Sequence, residues 1–376
     1  MNEREVSELR RRLRPEKNNI THICGCFVNE KREVVSLFSQ SLTMMPQEEA
    51  EAYLSLLKRT LSGGLGKNLI DISFTTRQVA DSDEHRLLMA LRDSELRDRE
   101  VVQTFCRKVI DSLTMEGGYL ILLARDVYDV PHRSDDGERQ DDQSDEVFTY
   151  LVCAICPVKA ARPTLSYSMD ENVFHTREGG WVAAAPEAGF LFPAFDDRST
   201  NLYNALYYTR DTAENHPDFI DAVFRAPAPM PAAVQKETFQ TILGDTLAED
   251  SSYQVVQTVH GQLREMIEEH KVNHEETPLT ISRDTVRRVL TDCGVEDRHV
   301  DAFEARYDAA FGEGADLSPR NLVDTKQLEI ATSDVTIRVN PDRGDLVETR
   351  IIDGARYILI RAEEDVTVNG VQIQIG

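Results

Sequence analysis

Tryptophan occurs once and cysteine six times in 376 residues, and no apolar run is long enough to span a bilayer. The longest runs, "YLILLA" (residues 119–124) and "LVCAIC" (residues 151–156), fall far below the roughly 20 residues a spanning helix needs. The opening "MNEREVSELRRR" is charged throughout, unlike a secretory leader. These absences argue against a membrane helix. Sparse cysteine without an export signal points to reduced thiols and a cytoplasmic location.

Basic residues are also scarce, 42 against 66 acidic, for a formal charge of −24. Such a surface repels phosphate backbones at long range, so direct nucleic-acid binding would need a local basic patch. The stretch "LRRRLRPEK" (residues 9–17) offers one, through Arg10, Arg11, Arg12, Arg14 and Lys17. Lys67 and Arg77 are the further candidates for that patch.

The familiar catalytic signatures are missing. No H-E-x-x-H and no G-x-S-x-G occurs. "SGGLGKN" (residues 62–68) resembles a phosphate loop, but its register fails. A Walker A motif needs glycine at position 61 and a hydroxyl at 68, where Leu61 and Asn68 stand. A helix precedes it and a strand follows, the reverse of the required order, so the glycines read as a helix stop. Cys24 and Cys26 share a strand face, whereas Cys153 and Cys156 face opposite ways, as expected of small buried residues in a sheet rather than metal ligands. No metal and no cofactor is expected.

What is present is an apolar content of 41%, enough for a substantial core. Residues 20–28 and 34–42 read as paired strands, 46–61 as a helix and 69–74 as a strand. Helices follow at 83–91 and 96–113. Two long strands, "GYLILLARDVYDV" and "VFTYLVCAICPV", flank the acidic "SDDGERQDDQSDE" (residues 134–146), which reads as a surface loop. The proline-rich "APAPMPAA" (residues 226–233) reads as a boundary. Beyond it come helices at 233–247, 252–270, 283–292 and 296–311, then strands with hairpin signals at Asp353–Gly354 and Asn369–Gly370. The expected class is α+β: a largely antiparallel sheet with packed helices over residues 1–228, a helical segment over 229–315, and a small β-meander over 316–376 packed on that segment. The meander's exposed edges suit strand-to-strand homodimerisation.

Two stretches carry possible chemistry. "FDDRSTN" (residues 195–201) gathers polar groups between aromatic segments; Asp196, Asp197 and Arg198 are the candidate catalytic residues for a hydrolase or transferase, or else a capped turn. "TISRDTVRRVL" (residues 280–290) could present Arg283, Arg287 and Arg288 to phosphate, or pack on the next helix through Val286, Val289 and Leu290.

The segments "ELRRRLRPEKNNI", "LSGGLGKNLIDISF", "GFLFPAFDDRSTNLYNALYYT" and "LSPRNLVDTKQ" resemble a bacterial family known only as a domain of unknown function, over nearly the whole chain. That resemblance implies no activity. In layout alone, the long strand pair, the helical stretch and the C-terminal strands resemble the bacterial nucleoid-associated protein family, which implies DNA or a DNA-bound protein as partner. The expected function is a non-enzymatic binding protein of that kind, with the hydrolase or transferase and a purely structural assembly protein as alternatives.

Overall fold

The computed structural model describes residues 1–133, 139–161, 163–177, 179–247, 253–273, 275, 277–362, 366–368 and 371–373. The chain divides into two compact units, Met1–Ala232 and Ala233–Gly376.

The first unit contains α1 (Glu3–Arg12), β1 (His22–Val28), β2 (Val34–Ser41), α2 (Gln47–Arg59), β3 (Leu69–Ser73), α3 (Thr76–Asp81), α4 (Asp83–Asp93), α5 (Arg99–Ser112), β4 (Gly118–Arg133) and β5 (Arg139–Ala160). It continues with β6 (Thr164–Ser168), β7 (Val173–Arg177), β8 (Trp181–Ala183), β9 (Ala188–Phe192), β10 (Ala194–Asp196), β11 (Ser199–Asn201), β12 (Asn204–Thr209) and α6 (Pro217–Phe224). An antiparallel sheet runs in the order β2-β1-β4-β5-β9-β12-β3, and β8 adds to the end of β5.

Strand alternation sorts the side chains into two cores. Tyr119, Ile121 and Leu123 of β4, with Leu151, Cys153 and Ile155 of β5, face α4, α5 and α6. Leu122 and Ala124, with Val152, Ala154 and Cys156, face α1 and α2. The sheet is therefore covered on both sides, an α+β arrangement of three layers. At Gly189 an added Cβ would stand 2.4 Å from the Cys153 carbonyl and 2.7 Å from Thr60, so a glycine lets α2 lie close on β9.

The acidic stretch differs from the expected loop. Backbone pairing continues to Arg133↔Arg139, so its residues from Arg139 onward belong to β5. The remainder, 134–138, lies outside the described residues. The helices α1 and α3 are additional to those expected.

The second unit holds α7 (Ala232–Leu247), α8 (Tyr253–Val272), α9 (Arg283–Asp292), α10 (Asp297–Phe311) and α11 (Pro319–Leu322). Val259, Leu263 and Ile267 of α8 share a core with Val286, Val289 and Leu290 of α9 and Val300, Phe303 and Tyr307 of α10. Val256 of α8, one turn before Val259, is 36% exposed. Three separate hairpins follow: β13 (Leu328–Ala331) with β14 (Thr336–Val339), β15 (Val347–Ile352) with β16 (Ala355–Ile360), and β17 (Val366–Val368) with β18 (Val371–Ile373). Asp353 and Gly354 both have positive φ, 50° and 79°, as the two-residue turn between β15 and β16 requires. The other hairpin signal, Asn369–Gly370, lies outside the described residues. Among the described residues no helix is long and apolar enough to cross a membrane.

Candidate functional site

The polar run 195–201 forms the β10–β11 hairpin, with Asp196 opposite Ser199. Its two turn residues, Asp197 and Arg198, have φ of 50° and 59°, the pattern of a type I′ turn. The turn leaves Asp197 exposed at its tip and carries its neighbours toward α1.

α1 begins with a capping box. The Glu5 amide donates to the Asn2 side chain at 2.9 Å, and the Asn2 amide donates to the Glu5 carboxylate at 2.7 Å. Its buried stripe is Val6, Leu9 and Leu13. The helix lies across the sheet. At its start the Met1 α-ammonium reaches Asp196 at 2.5 Å and Asp71 of the edge strand β3 at 3.6 Å. At its end Arg12 reaches Asp126 of β4 at 3.1 Å. Four strand spacings separate β4 from β3, about 19 Å, which a ten-residue helix of about 15 Å nearly spans.

Several polar groups beside this helix are engaged with it or with its supports. Arg198 donates to both Glu8 carboxylate oxygens, at 2.9 and 2.7 Å, and to the Pro131 carbonyl at 2.9 Å. The Tyr128 hydroxyl also donates to Glu8. Asn201 donates to Asp196 at 2.6 Å. Burial alone would raise the Asp196 carboxyl, but bonds from the Met1 ammonium and Asn201 outweigh it and hold the group below its ordinary range. For Glu5 burial wins over the Asn2 and Arg198 amides, and its carboxyl is raised.

Deeper in the layer stands Asp126, with no exposed surface. Arg12 Nε donates to it at 3.1 Å, the Tyr150 hydroxyl at 2.7 Å and the Asn19 amide at 2.7 Å. The Arg12 guanidinium also lies 4.2 Å from the centre of the Tyr128 ring. A buried carboxylate needs such a set of donors to remain charged. The arrangement is a polar latch between α1 and the sheet. The signal for its centre lies in the strand alternation: Asp126 falls on the same alternate positions as Leu122, Ala124, Tyr128 and Val130, all on the face that packs against α1 and α2.

Of the three candidate catalytic residues, two are bound into this latch. The ion pair of Arg198 is with Glu8, Asp196 is held by the Met1 ammonium and Asn201, and Asp197 is exposed at the turn. The seven candidate cations stand on different elements and differ in exposure. Arg12 is spent on Asp126, and Arg11 donates to Ser7 at 3.1 Å. Arg14 and Lys17 are exposed beside Arg12's end of α1. Lys67 and Arg77 are exposed at opposite ends of β3, a five-residue strand of about 17 Å, on the far edge of the sheet. Arg10 is half-buried.

The glycine stretch serves the backbone. Gly63 has φ of 104°, and an added Cβ there would stand 2.5 Å from Asn68. Asn68, in the position a phosphate loop gives to a hydroxyl, donates to the Thr209 carbonyl at 3.0 Å and ties the turn to β12. In α9, Arg283 pairs with Asp308 at 2.5 Å and Arg287 with Glu304 at 3.2 Å, both on α10. The helix packs on its successor, and two of its three arginines face acids. Cys24, Cys26 and Cys153 share one core while Cys156 lies in the other, so the four sulfurs cannot ligate one ion. Among the described residues no group of three or more His, Cys, Asp or Glu is placed to hold a metal.

Comparison with known proteins adds a family. No curated protein matches the sequence. The profile of the domain of unknown function DUF4317 matches residues 1–371, nearly the whole chain, and the protein belongs to that family.

Proposed function

We propose that this is a non-enzymatic binding protein that works by protein–protein contact through exposed apolar β-hairpins. One observation carries the reading: apolar strand residues stand in solvent in both units. In the first unit Leu165 and Phe174 of β6–β7 are 70% and 65% exposed. In the second, Ile351 of β15 is 74% exposed, and Ile358 and Ile360 of β16, which the register sets on the same face, are exposed with it. Contiguous apolar surface of this kind marks interaction sites, and an isolated two-stranded hairpin is marginal in water without a covering partner.

The layout likeness to nucleoid-associated proteins makes a DNA-bound protein the partner of choice. The −24 charge and the dispersal of Arg10, Arg11, Arg12, Arg14, Lys17, Lys67 and Arg77 favour that route over direct DNA contact. The engagement of Asp196 and Arg198 in the α1 latch weighs against the hydrolase or transferase alternative.

Photo-crosslinking residues placed at 174 and 351 test the reading in cells. A discrete adduct with another protein at these positions, absent at exposed Glu48 of α2, is expected. No adduct at either position overturns it, and adducts only between copies of the chain transfer support to the assembly alternative. Purified protein that retards DNA at low salt, losing affinity steeply as salt rises, would restore direct DNA binding.

A further inference from the structure

The two edges of the central sheet are unlike. β3 is five residues long and carries Asp71 at its middle, 3.6 Å from the Met1 ammonium. A charge in an edge strand guards it against pairing with another sheet. β2, with sequence VVSLFSQS, is eight residues long, pairs among the described residues only with β1, and carries neither charge nor proline. Val34, Val35, Ser36, Ser39 and Gln40 are exposed along it. Its one irregularity is a register shift at the Val34 end, which leaves Ser36 to Ser41 regularly paired.

The register fixes which groups are unused. The Leu42 amide donates to the Thr21 carbonyl at 3.0 Å, continuing the His22↔Ser41 register. Hydrogen-bonded pairs alternate in an antiparallel ladder, so Gln40, Phe38 and Ser36 bond to β1. Leu37, Ser39 and Ser41 turn their amides and carbonyls outward. Phe38 packs in the α1–α2 core and Leu37 against the opposite one, so the strand is anchored on both faces.

We propose that β2 is a homodimer seam, two copies pairing antiparallel about a two-fold axis at Ser39, with Leu37 opposite Ser41 and the sheet continuous through both copies. The occupant follows from charge. Two chains of −24 repel unless they meet where neither is charged, and a two-fold seam sets each side chain against its own kind or a near neighbour. A strand without charge meets that condition. It offers nothing to steer or select a charged foreign strand. The opposite edge, with Asp71, would not accept β2 in a head-to-tail chain on equal terms. This surface is distinct from the apolar hairpins, so either assignment can fail alone.

The test is the mass of the full chain by sedimentation equilibrium or light scattering. Wild type is expected at twice the 42.5 kDa chain mass. Ser39→Asp places two carboxylates on directly opposed residues and is expected to yield monomer, as is Ser39→Lys. An equimolar mixture of the two variants is expected to recover the dimer, a rescue that misfolded protein could not give. A wild type that stays monomeric at high concentration, its edge left for a strand of another protein, overturns the proposal. So does a dimer that both variants leave intact.

Discussion

In β5, Leu151, Cys153 and Ile155 alternate with Val152, Ala154 and Cys156, and both sets are buried. In β15–β16, Ile351, Ile352, Tyr357, Ile358 and Ile360 have the same β-forming character and are exposed. The strands are formed by the same local chemistry, since branched and aromatic residues fit the pleated backbone. Their burial is decided elsewhere. The chain supplies β5 with α1 and α2 on one face and α4, α5 and α6 on the other, whereas among the described residues the C-terminal hairpins share no core cluster with a helix. Strand pattern thus reports backbone state, and burial depends on what is brought to cover it.

Cavity formation gives the largest test of that contrast. Phe190 of β9 is fully buried and meets Phe105 at 5.9 Å and Phe224 at 5.3 Å between ring centres. Phe190→Ala should lower stability by about 3–5 kcal/mol in urea unfolding followed by circular dichroism. A loss under about 1 kcal/mol would mean that this face is not packed as described.

The latch comes next. Arg12→Met keeps the aliphatic stem but leaves Asp126 buried without its cation, and should cost about 3 kcal/mol. Arg11→Met, one residue away on the exposed side, should stay within about 0.5 kcal/mol. Equal effects for the two would show that Arg12 works only as surface charge.

Much of this was legible. Periodicity locates β1, β3 to β5, α2, α4, α5 and the four long helices of the second unit, because each buries a stripe or an alternate set, and β2 follows from its β-forming residues after a turn. The α1 helix is masked by its charge: in "EREVSELRRR" seven of ten residues are charged, which leaves a short apolar stripe around Val6 and Leu9 behind the Asn2–Glu5 cap. The partners of Arg12 and Arg198 could not be read, since Asp126 and Glu8 are 114 and 190 residues away in sequence. Long-range ion pairs leave no local period. The exposed faces of the C-terminal hairpins were also invisible, because alternation looks the same with or without a cover.

A smaller effect is expected from pH in the second unit. His260 of α8 is partly buried, and burial, helped by Arg264 and Lys236, pushes its imidazole down to about 4. In the unfolded chain it titrates near its ordinary 6.5. Between those values the unfolded state binds a proton that the native state refuses, so stability falls as pH drops from about 6.5 toward 4 and the contribution levels off below. His260→Gln should flatten that part of the urea-midpoint profile relative to wild type. Superimposable profiles would place the imidazole in solvent.

The smallest stability effect should come from the exposed hairpins, and its smallness is informative. Ile351→Ser removes a side chain that is 74% exposed and should change unfolding free energy by no more than about 0.5 kcal/mol. Phe174→Ser should behave alike. If both are silent in stability but abolish crosslinking from a neighbouring probe position, their apolar surface is held for a partner and not for the fold. If Ile351→Ser instead costs as much as a core substitution, the hairpin is covered in the isolated chain. The contrast between β5 and β15–β16 would then be one of degree.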